Sequence, residues 1–145
     1  MKKIIHILTR KGNNVISIAP QLSVHDALQI MSDKNIGSLV VADDLQYLGI
    51  ITERDYARKV MLKGKSSAET TVSDIMTTDF PLLIEEDTVE KCMQLMTDNN
   101  LRYLPVMKGS SIVGLISIMD VVKETILSQQ ETISELHQYI TGSSY

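Results

Sequence analysis

The chain has 145 residues, 43% of them hydrophobic and 22% charged, with a formal net charge of -4 at pH 7. That composition suits one compact domain, or two small halves sharing a core, and leaves no room for a catalytic domain plus a regulator. The negative balance without a long basic run argues against nucleic acid, and no stretch reaches the roughly 18 apolar residues of a membrane span.

Residues 1–14 read as a helical lead-in. The apolar run Ile4-Ile5-His6-Ile7-Leu8 gives way at once to Thr9-Arg10-Lys11, too soon for a signal peptide, so a cytoplasmic protein is expected. A first unit spans 15–62. It opens with an extended segment at 15–18, then Ser23 as an N-cap before Val24, Ala27, Leu28 and Met31 at helical spacing. Two apolar runs, 38–42 and 47–51, flank Asp43-Asp44 as two strands and a turn, and a helix is predicted from Glu53 to about Leu62. Residues 63–79 form a linker whose start, Lys63-Gly64-Lys65-Ser66-Ser67, has hinge composition.

The same order returns over 80–125. An extended segment at 80–84 precedes Thr88, then Val89, Cys92, Met93 and Met96 at helical spacing, two strands at 103–107 and 112–116 around Lys108-Gly109, and a helix from Ile118. A shift of 65 residues aligns 23–55 with 88–120 without a gap, and ten of the 33 positions are identical, where unrelated segments would share roughly two. The chain is therefore a duplicated unit. Each copy carries a three-stranded sheet whose apolar face it cannot cover alone, so the copies must pack together. The expected fold is mixed α/β (α+β): two β-α-β-β-α repeats about a pseudo-two-fold axis, with a short N-terminal helix and a long C-terminal one. Residues 126–145 extend that last helix and end in a tail. Its stripe of Ile126, Ile133, Leu136 and Ile140 outlasts the repeat and is expected to mediate self-association or to fold over the N-terminal helix.

The chemistry should lie where the second strand of each repeat meets its helix, at Gly49-Ile50-Ile51-Thr52-Glu53-Arg54-Asp55 and Gly114-Leu115-Ile116-Ser117-Ile118-Met119-Asp120. A hydroxyl followed three residues later by a carboxylate is, at its simplest, a capping box that satisfies free amides at a helix start. It also suits a nucleotide. The helix start and the Thr52 or Ser117 hydroxyl can meet a phosphate, while Asp55 or Asp120 can accept hydrogen bonds from a ribose diol.

These two motifs, with Leu101-Arg102-Tyr103-Leu104-Pro105-Val106, resemble those of CBS (cystathionine-beta-synthase type) domains over roughly residues 15–125. The run from Thr52 through Val60 is similar to small stand-alone bacterial members described as candidate signal-transduction proteins. The resemblance implies a regulatory adenine-nucleotide-binding module whose ligands are AMP, ADP, ATP or NAD(H), and in some members S-adenosylmethionine. It implies that Thr52 and Ser117 contact phosphate and that Asp55 and Asp120 contact ribose. It also implies that Arg102 and Tyr103 complete the cleft of Thr52 and Asp55, while Ile36, Gly37 and Ser38, with Ser17 near the base, complete that of Ser117 and Asp120. Family members commonly form homodimers, so a homodimer is expected.

Arg102 has no basic counterpart at Gly37, so the cleft around Asp55 is expected to favour the more anionic ligand; the alternative reading of Arg102 is a solvated charge flanking a strand. Arg54 and Arg58 lie four apart on one helix face, placed either to reach a phosphate or to pair with acidic groups at a dimer contact. His6, His25 and His137 show no metal-ligand spacing, and Cys92 reads as a buried packing thiol. Three functions compete: a nucleotide sensor acting through a partner, a structural dimerisation module with empty clefts, and a nucleotide-processing enzyme. The last lacks any visible nucleophile–base pair, metal cluster or paired carboxylates, so no catalytic residue, obligatory cofactor or metal is assigned.

Overall fold

A computed structural model describes residues 2–12 and 14–142; Met1 and Asn13 of the lead-in and the tail at 143–145 lie outside the described residues. Helix α1 (Ile4–Lys11) comes first, then strand β1 (Ser17–Ile18), α2 (Val24–Lys34), β2 (Ser38–Asp43), β3 (Gln46–Thr52) and α3 (Glu53–Tyr56). The chain continues through α4 (Val72–Ile75), α5 (Val89–Asn99), β4 (Tyr103–Lys108), β5 (Ser111–Ser117) and α6 (Ile118–Thr141).

The duplication is visible in local geometry. Ser23 accepts a hydrogen bond from the Asp26 amide at 3.1 Å, and Thr88 accepts one from Lys91 at 3.0 Å, so both second-position helices are capped by their own side chains. Asn35 and Asn100, 65 apart, end those helices with φ of 54° and 53°, a left-handed conformation that asparagine tolerates. Both hairpins shift register at matching places, between Val41 and Ala42 and between Val106 and Met107. The five strands run β1-β2-β3-β5-β4, and the two halves meet at the antiparallel pair Gln46–Ser111.

Symmetry fails at the lead-in strands. β1 pairs in parallel with β2 at Ser17–Val40 and Ile18–Val41, while the extended segment at 80–84 keeps one parallel bridge, Leu83–Val106. The cause is covalent. Val40 donates its amide to the Ile16 carbonyl at 3.3 Å, and the equivalent residue in the second repeat is Pro105, which has no N–H to give. The helix expected over 53–62 also changes character: α3 passes into a π-helical turn, Ala57–Met61, in which the Leu62 amide bonds Ala57 O at 3.0 Å.

The two cores are cross-covered. α1 precedes the first repeat, yet Ile4, Ile7 and Leu8 are buried with Val89, Cys92, Met96, Leu104 and Ile116 of the second. α4 precedes the second repeat, yet Val72 and Ile75 are buried with Val24, Met31, Leu39 and Ile51 of the first. The segment between the repeats is stitched down by Val24 N to Thr70 O at 2.9 Å, Val72 N to Leu22 O at 2.8 Å and an Ile50–Thr77 bridge. Gly49 allows that approach, since a Cβ there would sit 2.7 Å from the Thr77 carbonyl oxygen. Cys92 is fully buried, and burial, with the charges of Asp120 and Asp87, pushes its thiol up to about 12.

α6 divides into two parts. Up to Glu131 it is tied to the N-terminal segment by ion pairs at 3.4 Å, Glu124 to Arg10 of α1 and Glu131 to Lys2 just before α1. Beyond that, Ile133, Leu136 and Ile140 are exposed, and Gly142 closes the helix with φ 66°. No helix among the described residues is long and apolar enough to cross a membrane.

Candidate functional site

β3 and β5 each deliver a hydroxyl to the start of the following helix. Thr52 and Ser117 are extended N-caps whose oxygens accept the Asp55 amide at 3.1 Å and the Asp120 amide at 3.2 Å. The carboxylates close the box: Asp55 Oδ2 accepts from the Thr52 amide at 3.0 Å, and Asp120 Oδ2 accepts from the Ser117 amide at 2.8 Å. The first amide of each helix is also taken, Glu53 N by Gly37 O at 3.1 Å and Ile118 N by Arg102 O at 2.9 Å. Among the described residues those contacts leave the second amide of each helix, of Arg54 and of Met119, outside the capping arrangement.

The first cleft has a volume of about 380 Å³, inside the range of about 300–1,000 Å³ usual for small-molecule sites. It brings together Thr52, Arg54, Asp55 and Arg58 from the first repeat with Arg102 and Tyr103 from the second, and Gly37 also borders it. Asp55 is 5% exposed, and its Oδ1 accepts from Thr77 Oγ1 at 2.8 Å and from Lys59 Nζ at 2.9 Å. The Arg54 guanidinium donates to Asn100 O at 2.9 Å. The Arg58 and Arg102 side chains have no hydrogen-bond or ion-pair partner among the described residues.

The second cleft, about 450 Å³, is bordered by Ile36, Gly37, Ser38, Arg102, Tyr103 and Ser117, with Val15, Ile16 and Met119. Two expected residues are not in its wall. Ser17 is exposed on β1 and borders neither cleft; the chain passes the cleft earlier, at Val15 and Ile16. Asp120 faces a separate cavity of about 90 Å³ with Ile7, Arg10, Lys11, Lys123 and Glu124, because Lys11 Nζ sits 2.7 Å from its Oδ2 and screens it. Arg102 needs correction as well. It borders both clefts, so it cannot alone make the first the more anionic-seeking: four basic side chains face two carboxylates there, against two basic and no acidic in the second.

Sequence spacing missed three members. Lys59 lies one helical turn from Asp55 and was within reach of an i, i+4 argument. Thr77 and Lys11 arrive from 22 and 109 residues away, and no local pattern announces them. Among the described residues no group of three or more His, Cys, Asp or Glu side chains is placed to hold a metal ion.

Comparison with known proteins agrees with this architecture. The CBS-domain pattern matches residues 3–62 and again 72–126. The chain belongs to the CBS-domain family. The mitochondrial CBS domain-containing protein CBSX3 of Arabidopsis thaliana is 42% identical over 125 residues, 83% of this chain and 61% of that protein. The chain thus spans about three fifths of that relative. A crystal structure of a candidate signal-transduction protein with CBS domains from Burkholderia ambifaria is 40% identical and superposes with a TM-score of 0.83, covering 88% of this chain and 96% of that one. The hexameric CBS-CP12 protein of bloom-forming cyanobacteria is 28% identical with a TM-score of 0.71, covering 83% and 66%.

Proposed function

We propose that this CBS pair is a regulatory module that binds adenine nucleotides, AMP, ADP, ATP or NAD(H), in its two inter-repeat clefts and passes their occupancy to a partner protein. The observation that carries the proposal is the first cleft: Arg58 and Arg102, one from each repeat and without a partner among the described residues, line it together with Thr52 and the start of α3. Unpaired guanidiniums around a helix start favour a phosphate oxyanion. A ribose diol on Asp55 would take over the contacts that Thr77 and Lys59 make to Oδ1. Binding shifts the molecule only by its differential affinity for two arrangements of the pair.

Calorimetry with AMP, ADP, ATP, NAD, NADH and S-adenosylmethionine tests this on the wild type, Asp55→Ala, Asp120→Ala and Arg58→Ala. Loss of a charge-assisted contact worth roughly 1.5–3 kcal/mol should weaken binding by about one to two decades. Binding of no member of the panel, or binding unchanged in all three variants, would sink the proposal. The function is binding without turnover, and steady product formation from ATP or NADH that Asp55→Ala abolishes would reverse that.

A second, compatible reading is self-association as a homodimer. Met61, Leu62, Met119, Val122 and Ile126 are exposed apolar side chains at and after the two motif helices, and one of the CBS relatives above is a hexamer. A module that only dimerises would show the same association and an empty panel.

A further inference from the structure

The 65-residue register reverses charge at one telling position: Lys59 of the first repeat corresponds to Glu124 of the second. In the first repeat Lys59 neutralises the motif carboxylate from within, with Nζ 2.9 Å from Asp55 Oδ1 and 2.9 Å from Ile75 O. In the second the equivalent side chain is itself a carboxylate, 2% exposed, and cannot do so. The missing cations come from α1, which packs on the second repeat from outside it. Arg10 Nε lies 3.4 Å from Glu124 Oε2, and Lys11 Nζ lies 2.7 Å from Asp120 Oδ2 and 2.9 Å from Leu115 O. Lys11 borders the second cleft and Asp120 does not. A molecule entering there meets the ammonium first.

We propose that Lys11 is the residue by which the second cleft discriminates phosphorylated from neutral ligands; this rests on the nucleotide reading above. Lys11 and the Ser117 amide both hold Asp120 Oδ2, so a ribose diol that engages this oxygen must displace the ammonium. For a neutral nucleoside that exchange is unfavourable, since two hydroxyls replace a charged donor and the freed Lys11 is left beside Arg102 with no carboxylate in the wall. For a nucleotide the freed ammonium gains a new partner, because the phosphate belongs at the Ser117 hydroxyl and the start of α6, on the wall that Lys11 shares. One side chain thus trades an internal anion for the ligand's. The first cleft has no such filter from α1, since its lysine sits on the motif helix.

The test reads the second cleft alone. Met119 borders it and not the first, so its methyl NMR signal reports occupancy during titration with AMP and with adenosine. The wild type should prefer AMP by at least about tenfold, the worth of one charge-assisted contact. Lys11→Met should tighten adenosine, weaken AMP and shrink that ratio by about tenfold, while Lys11→Arg, which keeps the charge, should retain it. Ile4, Ile7 and Leu8 hold α1 in place in both variants. A ratio unchanged in Lys11→Met overturns the role of Lys11 and leaves nucleotide binding standing. A Met119 signal that neither ligand moves in the wild type overturns the filter and the nucleotide reading of this cleft together.

Discussion

Asp55 holds up α3 as well as facing the first cleft, and the two duties can be separated by mutation. Its carboxylate caps the Thr52 amide and receives Thr77 and Lys59. Asp55→Ala should therefore cost about 2 kcal/mol in denaturant unfolding, about half from the lost cap and half from the stranded Thr77 hydroxyl. Arg58→Ala, at an exposed side chain without a partner among the described residues, should stay within about 0.5 kcal/mol of wild type while still weakening an anionic ligand. Equal destabilisation by both variants would show that Arg58 has a structural contact. Cys92 makes a separate prediction about pH. Its thiol ordinarily titrates at 9.0 and is pushed up to about 12 in the fold, so the unfolded chain loses its proton first. Stability is then undiminished below pH 9.0 and falls as pH rises towards about 12. The denaturant midpoint of the wild type should drop more steeply over that window than that of Cys92→Ala, and parallel curves would refute the assignment.

Elements defined by their own residues were legible in the sequence, and those defined by a distant partner were not. Ser23 and Thr88 announce α2 and α5 because a cap bonds an amide three residues on. The hairpins follow from short apolar runs on either side of Asp43-Asp44 and Lys108-Gly109, and the paired motifs located both helix starts of the site. Three outcomes needed the tertiary structure. The segment at 80–84 shrinks to a bridge because Pro105 lacks a donor, the residues between the repeats dock on β3, and Lys11 crosses to Asp120. Gly49 and Gly114, identical in the alignment, expose the difference between these partners. A Cβ at Gly49 meets the Thr77 backbone carbonyl, while one at Gly114 meets the tip of the Leu8 side chain, which can rotate. Gly49→Ala should thus cost about 1–3 kcal/mol and clearly exceed Gly114→Ala. The reverse order in thermal melts would mean that α1 is pinned more rigidly than the connection at Thr77.

At the scale of the whole molecule, cross-coverage makes each repeat depend on a helix that precedes the other. Leu8→Ala empties the second core and Ile75→Ala the first, yet each should shift a single cooperative transition by about 2–5 kcal/mol and not split it. The same pseudo-symmetry bears on assembly. Met61 and Ile126 occupy equivalent positions 65 apart, at 62% and 49% exposure, so the molecule offers matching apolar points about two turns after each motif. Matching patches suit an isologous contact, in which each copy presents the same surface to the other. Sedimentation should therefore find a dimer at micromolar concentration, and Met61→Glu with Ile126→Glu should give a folded monomer, since both positions are already in water in the single chain. Ile133→Glu with Leu136→Glu locates the contact. If these two dissociate the dimer and the first pair does not, the distal half of α6 carries the assembly and the pseudo-dyad does not; a wild type that stays monomeric removes the homodimer altogether.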